Sequence, residues 1–202
     1  ILNQLYGYTA HIISIMQRYS GLLRSAAFST ICFGMLALVF DSFGPTYPGL
    51  IVCIYVLVFT YISWNDYQHQ QIPNAISYPC ILLAYLCGAT ILDNGFLSSL
   101  IGASIGFILF FSIWITPRLT LGAGDVKLSI AIGALCGFPK AVLAFSISFA
   151  FLVPAVISVL IIRSVMVNRG IPMAPFLSAG GLVGLLWGDD IVLWYTALLN
   201  RS

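Results

Sequence analysis

Apolar residues come in long, nearly unbroken runs separated by short stretches of Gly, Pro, Asn and charge. Runs of this kind cross a bilayer, and hydropathy predicts spans at roughly 25–40, 50–65, 76–92, 97–116, 126–137, 140–162 and 174–188, with an apolar tail at 191–199 able to continue the last. The run at 126–137 is too short to cross alone. It must tilt, lean on its neighbours, or join 140–162 through Gly137-Phe138-Pro139, an interruption that membrane bundles tolerate where the backbone is protected. Residues 1–24 hold no run of spanning length, but Leu5, Tyr8, Ile12, Ile15, Tyr19 and Leu22 recur at helical spacing, with Arg18 and Arg24 on the flank. That segment reads either as an interfacial amphipathic helix or as a loosely ordered tail. The predicted fold is all-α: a polytopic membrane bundle of about six to eight transmembrane helices over 25–202, preceded by the segment 1–24.

Composition agrees with the pattern. The chain is 60% hydrophobic and 7% charged, with a mean hydropathy of +1.04, outside the range of soluble domains. Its 202 residues suit one compact bundle with short loops. A net charge of +2 without a basic cluster points away from nucleic acid. Cys32, Cys53, Cys80, Cys87 and Cys136 all fall in apolar stretches and form no Cys-x-x-Cys pair, so they read as packing residues rather than a disulfide or zinc framework. The small-residue rows Gly102/Gly106 and Gly180/Gly184 predict close helix contacts in lipid.

Charge asymmetry orients the spans. If they alternate, Arg18, Arg24, Arg118, Lys127, Arg163 and Arg169 share one side, against Lys140 and Arg201 on the other. The positive-inside rule puts the first group in the cytoplasm. Asp66 and Asp125 then lie on the cytoplasmic side, whereas Asp41, Asp93, Asp189 and Asp190 lie outside.

Carboxylates at membrane depth are costly and usually signal function. Asp66 closes a span and is followed by Ile72-Pro73-Asn74, where Pro73 shapes the turn and biases Ile72 away from helix. Asp125 follows Gly122 and Gly124 and opens the next helical run; the glycines permit positive φ and close backbone approach over the carboxylate. Taken singly, Asp66 also reads as an exposed loop acid and Asp125 as a helix N-cap. Taken together, they are the minimum equipment for acid/base hydrolysis of a peptide bond. Helix-end electrostatics assign Asp125, at an N-terminus, mainly to the base, and Asp66, at a C-terminus, mainly to the shared proton. Lys127 lies two residues from Asp125 and thus on another helix face; it is expected to snorkel to the interface. His69 reads as a solvated loop residue, and His11 is uninformative.

Three segments in order resemble one family: Asp66 with Ile72-Pro73-Asn74, then Gly122-Ala123-Gly124-Asp125-Val126-Lys127-Leu128, then Ile171-Pro172-Met173-Ala174-Pro175-Phe176-Leu177. They resemble the type IV prepilin peptidases, which are Gly-x-Gly-Asp intramembrane aspartic proteases. The resemblance covers roughly residues 50–190. It implies that Asp66 and Asp125 are the catalytic dyad, with Gly122, Gly124, Ile72, Pro73, Asn74, Lys127 and Pro175 binding substrate or shaping the site. It further implies no metal and no cofactor. The implied substrates are type IV prepilins or pseudopilins, cut on the cytoplasmic side of a bacterial inner membrane, after a glycine and just before the apolar helix. Membrane lipids are the other expected partners, and anionic headgroups are the better candidates to hold a basic leader, because the enzyme's own cytoplasmic face is net positive. Larger members carry two Cys-x-x-Cys pairs and also methylate the new N-terminus; this chain has no such pairs and is more similar to the short, peptidase-only branch.

Three rivals remain. A proton-coupled transporter or channel would relay ions through intramembrane aspartates, but it predicts acids near the midplane in repeated halves. A presenilin-like protease shares Gly-x-Gly-Asp but calls for a Pro-Ala-Leu tripeptide near the C-terminus, which this chain lacks. The third is an idle scaffold subunit.

Overall fold

The computed structural model describes residues 26–116, 121–162 and 172–200, with the backbone alone over 159–162. Seven helices lie among the described residues: α1 (Ala26–Phe43), α2 (Tyr47–His69), α3 (Asn74–Thr90), α4 (Phe96–Ile115), α5 (Ala123–Cys136), α6 (Lys140–Ile162) and α7 (Ala174–Leu199). Each of the seven predicted spans has its helix, and the tail at 191–199 does continue the last. The helices α1, α2, α4, α6 and α7 are long and apolar enough to cross a membrane, giving a polytopic helical membrane bundle. The segment 1–24 lies outside the described residues. The chain divides into two compact units, Ile1–Leu38 and Val39–Ser202. The first contributes only the greater part of α1 to the described residues, and the second holds the rest.

Local sequence sets the helix ends. Thr46 caps α2, its Oγ1 accepting the Gly49 N–H at 3.3 Å, with Pro48 in the first turn where its missing N–H costs nothing. Gln70 ends α2 in the left-handed region, φ 53°, and returns its N–H to the Asp66 carbonyl at 2.8 Å. Pro73 precedes α3 in extended conformation, and its carbonyl accepts from Ile76 N, Ser77 N and Ser77 Oγ. The turn is therefore shaped, as Pro73 predicts.

The short run is the core of the second unit. Ten of the 14 residues of α5 are buried, among α3, α4, α6 and α7, so it leans on its neighbours and has no need to cross alone. It remains separate from α6. Gly137, at φ 68°, stops it, Asn94 donates to the Leu135 carbonyl at 2.9 Å, and Ser98 exchanges hydrogen bonds with Phe138. The glycine rows do what their spacing predicts. A Cβ at Gly102 would strike the carbonyl oxygen of Gly133 on α5, and one at Gly180 or Gly184 would strike Ser148 or Ala144 on α6.

Candidate active site

Asp66 stands in the last turn of α2 and Asp125 in the first turn of α5, 6% and 7% exposed. Asp66 is thus no exposed loop acid. Its Oδ2 accepts the N–H of Ala174, the first residue of α7, at 3.1 Å, and the Met173 N–H adds to this. The N-terminus of α7 is therefore aimed at the Asp66 carboxylate and favours its ionised form. One turn back, Ser63 and Ser178 hydrogen bond to each other at 3.1 Å between Oγ atoms, fixing α2 against α7. Neither α7 N–H nor either serine was predicted as part of the site. Ser63 and Ser178 are signalled only by helical spacing, three residues before Asp66 and four after Ala174.

Asp125 is not the N-cap. Gly122 holds that position, and Asp125, at the third helical position, reaches back with Oδ2 to accept the Gly122 N–H at 3.2 Å. Its Oδ1 is buried and has no hydrogen-bond partner among the described residues. The charge on Asp66 acts on Asp125, so the two carboxyls lie within electrostatic reach of each other. Asp125 lies outside the five spanning helices. Burial first, then the Asp66 charge, push its carboxyl up to about 7, while the Gly122 N–H pulls the other way.

The glycines of this motif serve close approach rather than positive φ. Gly122 has φ −76°, and neither it nor Gly124 is among the glycines at positive φ. A Cβ on Gly124 would fall 2.7 Å from the Cβ of Ile72, so Gly124 is the seat on which the α2–α3 loop rests. Asn65 Nδ2 holds the Gln71 carbonyl of the same loop. Lys127 has fixed partners on α3. Its Nζ donates to Asn74 Oδ1 at 2.6 Å and lies 4.5 Å from the centre of the Tyr78 ring. Pro175 is half-buried in the first turn of α7. Ile171 falls outside the described residues. His69 is exposed at the end of α2.

Between α2 and α3 lies an apolar cavity of about 390 Å³ lined by residues such as Ile54, Tyr55, Ala75, Pro79 and Cys80. Among the described residues no three His, Cys, Asp or Glu side chains converge as metal ligands, and the five cysteines are free.

Residues 53–159, more than half of the chain and including both aspartates, match the model of the type IV leader peptidase family. The prepilin leader peptidase/N-methyltransferase of Stutzerimonas stutzeri is 30% identical over 141 residues, which are 66% of this chain and 48% of that protein. The protein of the same name from Aeromonas hydrophila is 29% identical over 165 residues, 75% of this chain and 54% of its own length. That of Bacillus subtilis is 25% identical over 182 residues, 88% and 71%. The chain thus spans about half the length of the first two relatives. No solved structure matches it. A family model that fits more than half of the chain, both aspartates included, settles its kinship: this chain belongs to the type IV leader peptidase family.

Proposed function

We propose that the chain is an aspartic endopeptidase that removes the leader from type IV prepilins or pseudopilins, with Asp66 and Asp125 as its dyad. The observation that carries the reading is a pair of buried carboxyls that feel each other, Asp66 accepting N–H groups from the start of α7 and Asp125 only that of Gly122 from its own motif. Two such groups cannot both ionise cheaply, so they share one proton. The donors make Asp66 the ionised member, and the bare Oδ1 of Asp125 suits a carboxylic acid. This reverses the division that α2 and α5 alone suggest, because the N-terminus of α7 offsets the C-terminus of α2 at Asp66.

In the resulting mechanism Asp66 takes a proton from water as the water attacks the scissile carbonyl, and Asp125 protonates the carbonyl oxygen. Collapse of the tetrahedral adduct returns a proton to the leaving amine and restores the pair. A helical substrate must be locally extended for this attack, which a glycine before the scissile bond makes easier. The apolar cavity between α2 and α3 supports lateral entry of the substrate's apolar helix. The positive side of the chain, with Arg118, Lys127, Arg163 and Arg169, supports a site facing the cytoplasm across a bacterial inner membrane. The relatives' printed name, prepilin leader peptidase, supports the substrate class.

Co-expression with a prepilin tests the reading. Asp66→Asn and Asp125→Asn are each expected to lower cleavage by about 10²–10⁴ while the protein stays folded. Normal cleavage by either variant would remove that residue from the mechanism.

A further inference from the structure

The end of α5 that carries Asp125 is tied to α3 through Lys127, gripped between the Asn74 amide oxygen and the Tyr78 ring. Asn74 and Tyr78 are four residues apart on α3, so both partners lie on one helix face. Since α3 already packs along α5, this clamp is not needed to hold the two helices together. What it does fix is the orientation of an amide. An ammonium only donates, so Asn74 must turn its oxygen to Lys127. Its Nδ2, with two N–H groups, then points away from the clamp on an exposed residue.

Asn74 follows Asp66 by a short loop that is tied along its length. The four residues between α2 and α3 have little slack: Gln70 N–H returns to the Asp66 carbonyl, Asn65 holds the Gln71 carbonyl, Ile72 sits on Gly124, and the Pro73 carbonyl accepts from the first turn of α3. The loop therefore connects Asp66 to Asn74 as a rigid strut that rests on the residue before Asp125. An extended peptide lying over the dyad exposes unpaired main-chain carbonyls, which an oriented amide N–H group can hold.

Building on the peptidase reading, we propose that Asn74 is a peptide-binding residue of the site, donating from Nδ2 to a main-chain carbonyl of the extended substrate segment, and that Lys127 is the positioning residue that aims it. The contact is to backbone, so it holds a peptide of any sequence in place for cleavage.

The test uses the full chain in vesicles with a synthetic peptide carrying a basic leader and an apolar segment. Asn74→Asp is isosteric on an exposed position and keeps an oxygen for Lys127, but removes both N–H donors. It is expected to raise KM about tenfold with kcat changed by less than about twofold, the signature of one lost hydrogen bond to bound peptide. Lys127→Met, which frees the amide, should raise KM to a similar degree, and Lys127→Arg, which keeps a donor for Asn74, should recover most of the loss. An unchanged KM in Asn74→Asp overturns the proposal, as does a loss in Lys127→Met confined to kcat that Lys127→Arg fails to rescue. Those outcomes leave the dyad intact. Failure of the wild-type chain to cleave, with Asp66→Asn and Asp125→Asn equally inert, would instead sink the peptidase reading, and this proposal with it.

Discussion

Gly124 offers a sharp test of how the site is built. A Cβ placed there falls 2.7 Å from Ile72 Cβ, 3.0 Å from its Cγ1 and 3.1 Å from its Cδ1. Carbon atoms rest at about 3.5–4.0 Å, so the overlap approaches 1 Å. The nearest struck atom is itself a Cβ, which no rotamer change moves. Pro73 and the Asn65 tether leave the loop few ways to yield, so it must shift bodily off the helix that bears Asp125. Overpacking of this kind costs about 1–3 kcal/mol. If that cost falls on the assembled site, Gly124→Ala lowers kcat/KM for prepilin cleavage by about five- to a hundredfold. Ile72→Gly removes all three struck atoms. The double variant Gly124→Ala/Ile72→Gly should therefore be less impaired than the product of the two single losses, with a coupling of about 1–3 kcal/mol. The assay is cleavage of a prepilin-type peptide by purified variants, run beside thermal unfolding. Wild-type kinetics for Gly124→Ala, or strictly multiplicative losses in the double variant, would refute the idea that Gly124 exists to seat Ile72.

Other consequences are open to measurement. With the Asp125 carboxyl pushed up to about 7, it keeps its proton below that pH and loses it above; kcat/KM should fall about tenfold per pH unit on the alkaline side, and a profile rising through pH 7–9 would contradict the assignment. Ser63→Ala or Ser178→Ala alone strands a buried hydroxyl at a cost of about 1–3 kcal/mol, whereas the double alanine variant should be destabilised by less than the sum, as thermal unfolding in detergent would show. Gly133→Val brings a side chain onto the Gly102 carbonyl, where neither backbone can give way, so the folded fraction on gel filtration should collapse whatever the substrate.

Hydropathy alone locates the helices because a bilayer demands long apolar runs with internally satisfied backbone, and the chain has no other way to meet that demand. The two acids stand out for the same reason: Asp66 and Asp125 interrupt segments that otherwise exclude charge. What periodicity does not reveal is which backbone ends meet them. The donors to Asp66 belong to Met173 and Ala174, whose side chains have no polar group, and a backbone N–H leaves no mark on composition. Lys127 shows the same limit from the other side. Its position on α5 predicts a free cation near an interface, and only the approach of Asn74 and Tyr78 from α3 gives the ammonium a fixed place. The short run at 126–137 reads as a defect in the span pattern until its burial shows it to be the post around which α3, α4, α6 and α7 pack.

The inequality of the two carboxyls follows from that arrangement of ends. Judged by its own helix, Asp66 faces the partial negative charge of a C-terminus and is the natural holder of the proton. Judged by the helix that arrives 108 residues later, it faces backbone N–H groups that can stabilise its charge. The second effect is the stronger because the donor is in direct contact with the carboxylate oxygen, whereas the α2 dipole acts across the side chain. Among the described residues Asp125 has no comparable visitor: its Oδ2 accepts the Gly122 N–H of its own motif, and its Oδ1 meets no donor. In the proposed dyad, the roles of base and acid are therefore biased by a third helix, acting through its backbone N–H groups. The Ser63–Ser178 hydrogen bond, one turn deeper, ties α7 to α2 and so holds those N–H groups against Asp66.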